Sequence, residues 1–359
     1  MPKSYGRLWP HIVSWPRLVR AYACCRRRKR FKRGAVQFDF AWEANLLQLQ
    51  RELIDGTYIP GAYRNFEIHE PKTRKISAAP FRDRIVHHAV VRVLEPIYER
   101  RFIFDSYACR SGKGTHRAID RAQLFLRRHP FYLKTDIVRF FPNVDHEVLL
   151  ALLARSIRDS SLLDLIRKLV DSGRGVLRDE ATPSYFPGDD LFAILRPTGL
   201  PIGNLTSQFF ANVLLDPIDH FVKEELRVPG YVRYADDLVL FGRSKQELWE
   251  TLHALRRRLE SMRLRLHNGK TQIRPSTSRL KFLGMILTQD DRRLCQDAIK
   301  RFNRRRRRLQ HDFASRQISA EQIRKSLAAW TAYANNANSR GIRNELFRRL
   351  SFRRDSSRS

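Results

Sequence analysis

Two adjacent aspartates stand between two apolar stretches in the segment YVRYADDLVLFG, residues 231–242. The flanking residues favour β-strands, so the pattern predicts a hairpin that carries Asp236 and Asp237 at its tip. Aspartate is also a common turn residue, and an isolated pair between strands usually has a purely structural explanation. The pair therefore needs a further acid before it indicates chemistry.

That further acid is Asp136, in the β-prone stretch FYLKTDIVRFF at residues 131–141. An acid at a strand end projects into a cleft, and if this strand lies beside the hairpin, Asp136 and Asp236 converge. Such carboxylates can hold two cations about 3.5 to 4 Å apart, the arrangement that catalyses in-line phosphoryl transfer. One ion would activate the attacking hydroxyl and the other would stabilise the leaving group. Because hard divalent cations prefer carboxylate oxygens, we expect two Mg²⁺ ions.

The composition indicates a polyanionic partner. The chain has 69 Lys and Arg against 37 Asp and Glu, a formal net charge of +32, and a nucleic-acid backbone rewards charge spread along a whole chain. With 359 residues, 42% of them hydrophobic, it can build a sizeable core, which excludes a disordered protein. The four cysteines show neither zinc-type pairing nor a disulfide framework. Lacking a stretch of ~20 apolar residues and a secretory leader pattern, it is expected to be cytoplasmic, without a membrane span.

These residues need a scaffold, and the mixture of strand and helix patterns over residues 61–288 predicts an α+β core. We expect a basic N-terminal arm and helical segment over 1–60 and a basic helical region over 289–359. The run CCRRRKRFKR at 24–33 carries many like charges. It is either a solvated arm or a nucleic-acid contact, and the interruption of the cations by Phe31 favours the contact.

Periodicity predicts the individual elements. In chain order they are a helix at 38–55 closed by GTYIPG, a strand at 63–69, a long surface loop at 172–199, a helix at 244–262, a short strand at 281–288 and basic helices over 297–350. Ser244 and Glu247 predict a capping box. The apolar stripe of the helix behind that box is expected in the core: Leu248, Leu252, Leu255, Leu259 and Met262. Gly284 inside the short strand predicts a bulge or a close backbone approach.

Five motifs occur in order: the strand with Asp136, then GLPIGNLTSQ, YADD, LHNGKT and KFLG. This order resembles the reverse transcriptase family over roughly residues 60 to 350. The resemblance implies a right-hand fold, with fingers and palm over 61–288 and the thumb over 289–359. It also implies an RNA-directed DNA polymerase that binds an RNA template, a DNA or RNA primer and dNTPs.

The resemblance also assigns roles at the acidic site. Asp136 and Asp236 match the metal ligands. Asp237 matches the second acid of the pair, and the carbonyl of Ile137 matches a further ligand. The primer grip of the family matches the segment FLG, which consists of Phe282, Leu283 and Gly284.

Other positions match the family's contacts to the incoming nucleotide. Phe141 matches the steric gate, where a bulky ring would collide with a ribose 2′-hydroxyl; a core aromatic is the alternative, a role that Phe140 could fill instead. Lys72 and Arg74 match the triphosphate contacts, and Arg suits that task because its planar fork can bind two phosphate oxygens. A solvated basic strand would look the same in sequence. Lys270 matches a lysine that protonates the departing pyrophosphate.

The loop IGNLTSQ at 202–208 departs from the common family pattern QGxxxSP. The form IGxxxSQ resembles the reverse transcriptases of diversity-generating retroelements, which copy a template-repeat RNA into cDNA with errors concentrated at adenines. In the family this loop lies against the nascent base pair, which places Ile202, Gly203 and Gln208 at the nucleotide. An apolar Ile202 in place of an amide could loosen the check on pairing, a hypothesis about fidelity. These enzymes work with a small basic helical accessory protein, which we expect as a partner.

Other classes remain alternatives. A group II intron enzyme would carry a maturase region after the thumb, for which little sequence follows FLG, and a retron enzyme would show NAxxH and VTG, which are missing here. A defence-associated reverse transcriptase stays open. A non-catalytic RNA-binding protein on the same scaffold would suit the charge equally. The complete set of three acids argues against it, because only bound metal makes them useful in a cationic cleft.

Overall fold

The computed structural model describes residues 4–27, 29–68 and 73–353, and the predicted triphosphate contact Lys72 lies outside them. The helices are α1 (Trp9–Val13), α2 (Trp15–Arg26), α3 (Arg33–Asp39), α4 (Trp42–Ile54), α5 (Phe81–Glu99), α6 (Thr115–Arg128), α7 (Phe140–Asn143), α8 (His146–Ala154), α9 (Ser160–Asp171), α10 (Leu205–His220), α11 (Lys245–Glu260), α12 (Gln296–Ala314), α13 (Ala320–Ala334) and α14 (Arg340–Arg348). The strands are β1 (Arg64–Ile68), β2 (Arg74–Ala78), β3 (Phe131–Asp136), β4 (Gly230–Tyr234), β5 (Asp237–Gly242), β6 (Gln272–Pro275), β7 (Leu280–Phe282), β8 (Met285–Leu287) and β9 (Arg292–Leu294).

The central sheet is antiparallel, with the strand order β4-β5-β3-β6. Successive side chains of a strand point to opposite faces, and both faces of this sheet are covered. Leu238 and Leu240 of β5 pack into the larger hydrophobic core together with α11. Val239 and Phe241 pack into a second cluster together with α6. The sheet is therefore held from both sides.

Helix α11 packs against β3 and β5. Its predicted core stripe is confirmed, because all five members are buried: Leu248, Leu252, Leu255, Leu259 and Met262. Ser244 caps the helix, since its Oγ accepts from Glu247 N at 3.1 Å. The predicted capping box is only half correct, because the Glu247 carboxylate accepts from Arg243 N at 2.7 Å and not from the amide of Ser244. The carboxylate thus binds the backbone amide that precedes Ser244, one residue further from the helix.

A two-stranded ribbon stands apart from the central sheet. β1 and β2 pair antiparallel, with Ile68 opposite Arg74. Every residue of β1 is exposed, whereas Ser77 of β2 is buried. The strand predicted at 63–69 is confirmed as β1. The ribbon meets the rest of the molecule mainly through the buried end of β2.

The N-terminal residues fold into helices where an arm was expected. Helix α2 lies along α5 and buries Leu18, Ala21 and Cys25. The rings of Tyr22 and Trp42 stack with centroids 5.4 Å apart and join α2 to α4. Apolar residues at helical spacing before the basic run explain this packing. The helix predicted at 38–55 is confirmed as α4, although it begins at Trp42, because residues 38 and 39 belong to the end of α3.

The short strand predicted at 281–288 is wrong, because this segment forms the hairpin β7–β8. Its turn residues Leu283 and Gly284 have φ angles of 47° and 82°. Leucine rarely adopts positive φ, so the pattern gave no sign of the turn. β9 pairs with β8 beyond the proposed boundary at residue 288. The helices α12 to α14 follow, and Phe302 stacks on Trp330 with centroids 3.7 Å apart.

The segment between α9 and α10 is the predicted long loop. Between residues 172 and 199 it contains only short 3₁₀ turns, at Arg178–Glu180 and Leu191–Leu195. Helices and antiparallel sheets together confirm the predicted α+β class. Of the helices in the described residues, none has both the length and the apolar character to cross a membrane.

Candidate active site

The predicted hairpin of β4 and β5 carries two aspartates at its tip. Ala235 and Asp236 form the turn, and Ala235 adopts a φ of 54°. Asp237 begins β5 and lies opposite Asp136, the last residue of β3. Directly opposed residues of antiparallel strands share a face of the sheet. The register therefore brings the acids of the two strands to one corner of the central sheet, which is called the palm sheet below.

The aspartates of this corner act on one another electrostatically. Burial raises the pKa of Asp236 to about 6, and the carboxylates of Asp237 and Asp136 raise it further toward that value. The guanidinium of Arg74 on β2 opposes this effect, which places the ribbon near the same corner. The neighbouring carboxylates thus disfavour the ionised form of Asp236, and a cation between them would remove this repulsion.

The two carboxylate oxygens of Asp136 have different surroundings. Oδ2 accepts a hydrogen bond from Lys270 Nζ. Oδ1 is buried and has no hydrogen-bond partner in the part of the chain that the structure describes. The backbone carbonyl of Asp136 accepts from His267 N at 2.8 Å, which anchors the short turn Asn268–Lys270 beside it. A buried oxygen without a partner costs about 1–3 kcal/mol, so Oδ1 is available as a cation ligand.

The donor set fits a hard divalent cation that is shared with a substrate. No group of three or more His, Cys, Asp or Glu side chains within the described ranges is arranged to hold a metal ion by itself. Mg²⁺ commonly binds through one or two carboxylates together with substrate phosphates and water, without a cage made only of protein. Asp136 and Asp236 would supply such carboxylates, and the unpartnered Oδ1 of Asp136 would offer one coordination position.

Arg233 supports the hairpin that carries Asp236 and Asp237 and was not identified from the sequence. It is fully buried, and its guanidinium binds the Asp219 carboxylate through Nε at 2.7 Å and Nη2 at 2.6 Å. Nη1 donates to Asn212 Oδ1 at 3.0 Å and to the carbonyl of Ala235 at 3.3 Å. The guanidinium thus links α10 directly to the hairpin turn. A charged residue inside an otherwise apolar strand was the available sequence signal.

The loop at 202–208 is fastened to β2 of the ribbon. The carbonyl of Ile202 accepts from Ser77 N at 2.9 Å. The buried Asn204 side chain donates to the Ser77 carbonyl at 3.0 Å and accepts from Ala79 N at 3.1 Å. Sequence reasoning treated Asn204 only as one letter of the motif. Its amide is a principal link between the ribbon and the start of α10.

Gly203 occupies a position that only glycine fits. Its φ is 117°, and a Cβ there would lie 2.8 Å from Ile76 Cγ2. Ile202 is half-buried, and Gln208 is exposed in the first turn of α10. Ile202 and Gly203 therefore lie against β2 of the ribbon, and Gln208 follows in the first turn of α10.

The two adjacent phenylalanines of α7 have different environments. Phe140 is 2% exposed and belongs to the larger core. Phe141 packs against the edge of that core and is only partly buried, with the two ring centroids 5.3 Å apart. Phe140 therefore has the structural role, and Phe141 is the ring available to a nucleotide. Its action as a steric gate stays a prediction.

The predicted primer grip coincides with the β7–β8 hairpin. Phe282 is fully buried in the second cluster, so its side chain supports the hairpin from inside. Leu283 and Gly284 form the partly exposed turn. Tyr333 Oη donates to the Gly284 carbonyl at 3.0 Å, and a Cβ on Gly284 would lie 2.7 Å from that hydroxyl. The turn is thereby fixed to α13.

Comparison with protein families identifies the chain. Residues 68–287, more than half of it, match the family described as reverse transcriptase (RNA-dependent DNA polymerase). This chain belongs to the reverse transcriptase family. The predicted enzyme class and the right-hand polymerase fold are confirmed at the level of that family.

Curated relatives of this reverse transcriptase include intron-encoded proteins. Protein YkfC of Escherichia coli is 26% identical over 279 residues, which cover 66% of this chain and 69% of YkfC. The group II intron-encoded protein LtrA of Lactococcus lactis is 27% identical over 183 residues, 50% of this chain and 28% of LtrA. A telomerase structure from Candida albicans covers 73% of this chain and 50% of its own, with a TM-score of 0.44 and 14% identity. These relatives do not show the diversity-generating subtype.

Proposed function

We propose that this reverse transcriptase extends a primer 3′-hydroxyl with dNTPs on an RNA template. The observation that carries the proposal is the convergence of Asp136, Asp236 and Asp237 at one corner of the palm sheet. Acids that repel one another in a chain of net charge +32 have a use only when they bind cations. The charge itself suits a template and a primer.

Bound Mg²⁺ would supply the positive charge that activates the primer hydroxyl and stabilises the departing pyrophosphate. Asp136 and Asp236 would hold the two ions, with Asp237 and the carbonyl of Ile137 completing the protein's share. The family resemblance implies this division, and the unpartnered Asp136 Oδ1 and the repulsion that Asp236 experiences support the parts of Asp136 and Asp236.

The remaining groups would orient the nucleotide. Arg74 can bind two phosphate oxygens at once, and Lys72 is proposed to assist it. Lys270, whose Nζ already lies at Asp136, is within reach of the leaving pyrophosphate and would give it a proton. Phe141 would exclude a ribose 2′-hydroxyl at the edge of the core.

We further propose that the copied RNA is the template repeat of a diversity-generating retroelement, with adenine-directed errors and a small basic helical accessory protein. The support is the loop IGNLTSQ, in which Ile202 stands where the family commonly has an amide. A second candidate is an intron-type reverse transcriptase, which the similarity to LtrA favours.

Primer extension tests the activity. The full chain, Mg²⁺, dNTPs and a primed RNA are combined, and the wild type is compared with the double variant Asp236→Ala, Asp237→Ala. We expect cDNA from the wild type and a loss of at least ~10³-fold from the variant, since both acids of the pair are removed. Arg257→Met, an exposed change on α11, is the matched control and should keep full activity. Equal cDNA yields from wild type and double variant would contradict the proposal.

Sequencing the cDNA separates the two candidates. Errors concentrated at template adenines support the retroelement enzyme, whereas a uniform low error rate favours the intron-type enzyme. Both outcomes retain the polymerase.

A further inference from the structure

A large open cavity lies beneath the loop at 172–199, beside the palm. Its volume is about 760 Å³. Its walls come from that loop, from residues that follow β3 and from the segment after α11, including Val138, Leu266 and Asn268. Among the described residues, those proposed for catalysis and nucleotide contact do not line it. It is therefore a separate compartment that shares a wall with the catalytic corner.

The cavity is lined by cationic side chains. Its arginines are Arg174, Arg178, Arg196, Arg263 and Arg265. The acid in the lining is Asp145, which is buried and already engaged. Asp145 accepts from Arg263 Nη1 at 2.8 Å and caps α8 through Val148 N at 3.1 Å. The lining thus retains a positive excess that favours an anion.

Arg196 lines the cavity and is nearly buried. Its side chain is 10% exposed, and Nη2 pairs with Asp189. Nη1 is buried without a hydrogen-bond partner in residues 4–27, 29–68 and 73–353. The Asp145 Oδ2 atom lies 4.0 Å from it, too far for a hydrogen bond. A buried guanidinium N–H of this kind calls for an acceptor. Because Nη1 has almost no accessible surface, an anionic oxygen in the cavity would accept from it only after the Arg196 side chain shifts toward the cavity.

The rest of the wall combines small polar side chains with an apolar part that includes one aromatic ring, Phe186. The guanidinium groups of Arg196 and Arg265 lie 5.7 and 5.1 Å from the centroid of the Phe186 ring. Ile194 and Leu195 line the same side and are largely exposed. A phosphate alone would not contact the apolar part of the wall and would fill only a small part of the cavity volume. A ligand with a phosphate and a flat ring matches both parts, and cavities of about 300–1,000 Å³ suit small ligands.

We propose that this cavity binds a free nucleotide, with a phosphate on Arg196 and the base against Phe186 and Ile194. The site is additional to the polymerase site, and the inference does not depend on the proposed activity. Two residues of the cavity wall contact the proposed metal ligand Ile137: Val138 follows it in sequence, and Leu266 pairs with it in an antiparallel bridge. An occupant of the cavity would therefore contact the residues beside the acidic corner.

Equilibrium titration with ATP tests the site. The full chain is titrated in EDTA without primer or template, at a salt concentration that suppresses non-specific binding. We expect one saturable site. Arg196→Met removes the anion contact, and Ala193→Trp fills the cavity while every arginine stays in place; each should weaken ATP at least 10-fold. Arg257→Met, which removes the same charge from exposed α11, should bind as the wild type does.

Two further probes define the ligand class. Inorganic pyrophosphate should bind at least 10-fold more weakly than ATP, and equal binding would overturn the role of the base. A 5′-phosphorylated pentanucleotide that displaces ATP and binds more tightly would overturn the assignment to a free nucleotide. If the wild type shows no saturable ATP binding, or if Ala193→Trp binds ATP as tightly as the wild type, the cavity is not a nucleotide site. Because Ala193→Trp removes no polar group, it still tests whether ATP binds in the cavity if Arg196→Met fails to fold. The double variant Asp236→Ala, Asp237→Ala should retain ATP binding, which separates this site from the polymerase.

Discussion

The acidic corner of the central sheet and the β1–β2 ribbon are supported in very different ways. The palm sheet is buried on both faces, and the Arg233–Asp219 pair beneath its hairpin is 0% exposed. The β1 strand of the ribbon is exposed along its whole length, and bonds from Ile202 and Asn204 hold its partner β2. The aspartates are thus fixed rigidly, while Arg74 is carried on an element with few buried contacts, which favours local mobility.

Breaking the buried pair under the hairpin should have the largest effect. Arg233→Met leaves the Asp219 carboxylate buried without its cation, and removing one partner of such a pair costs about 3–5 kcal/mol. We expect this loss in the free energy of unfolding, measured by urea denaturation. Arg257→Met, exposed on α11, is the control and should change stability little. A loss below about 1 kcal/mol for Arg233→Met would contradict a rigid support.

Loosening the ribbon should cost less stability and change nucleotide use instead. Asn204→Ala removes bonds to Ser77 and Ala79 and leaves buried backbone groups unpaired, a cost of about 1–3 kcal/mol. We expect a raised KM for dNTPs and faster hydrogen exchange in β2. Asn65→Ala, an exposed amide on β1, is the matched control. If Asn204→Ala leaves both readouts unchanged, the ribbon is not held through this residue.

Charge repulsion at the palm corner should appear as a pH-dependent stability cost. The folded-state pKa of Asp236 is raised to about 6, so ionisation opposes folding, and the stability of the protonated form is lost as the pH rises through that value. In EDTA, Asp236→Asn should stabilise the protein by about 1–2 kcal/mol at pH 8 and by less at pH 5. Thermal unfolding at both pH values measures this. A gain that does not grow with pH would show that the repulsion is absent.

The smallest expected effect concerns the contact between the two regions. Ile202→Asn places an amide in the loop that holds the ribbon, without changing the backbone bond to Ser77. If Ile202 loosens the check on pairing, the variant should make fewer errors at template adenines with little change in cDNA yield. Sequencing of cDNA from a defined RNA measures the difference. Equal error rates at adenines for the wild type and Ile202→Asn would show that Ile202 does not affect fidelity.

The sequence predicted the palm better than the regions attached to it. The hairpin at 231–242 and the apolar stripe of α11 follow from periodicity, and the structure contains both. The hairpin at 281–288 did not follow, because its turn places Leu283 at positive φ, which no residue pattern marks. The contact of Arg233 with the Ala235 carbonyl depends on a long-range ion pair with α10, and pairwise contacts of this kind are not encoded in local spacing.

The most direct test of the central claim, that the three aspartates bind the divalent cations, is local cleavage of the backbone by Fe²⁺ in place of Mg²⁺. Fe²⁺ with ascorbate and peroxide generates radicals that cut the chain near the bound ion. We predict cuts around Asp136, around Asp236 and near Lys270, suppressed by excess Mg²⁺ and by Asp136→Asn. Asp120→Asn, an exposed acid on α6, should leave them unchanged. Cuts elsewhere, or cuts that persist in Asp136→Asn, would contradict the account.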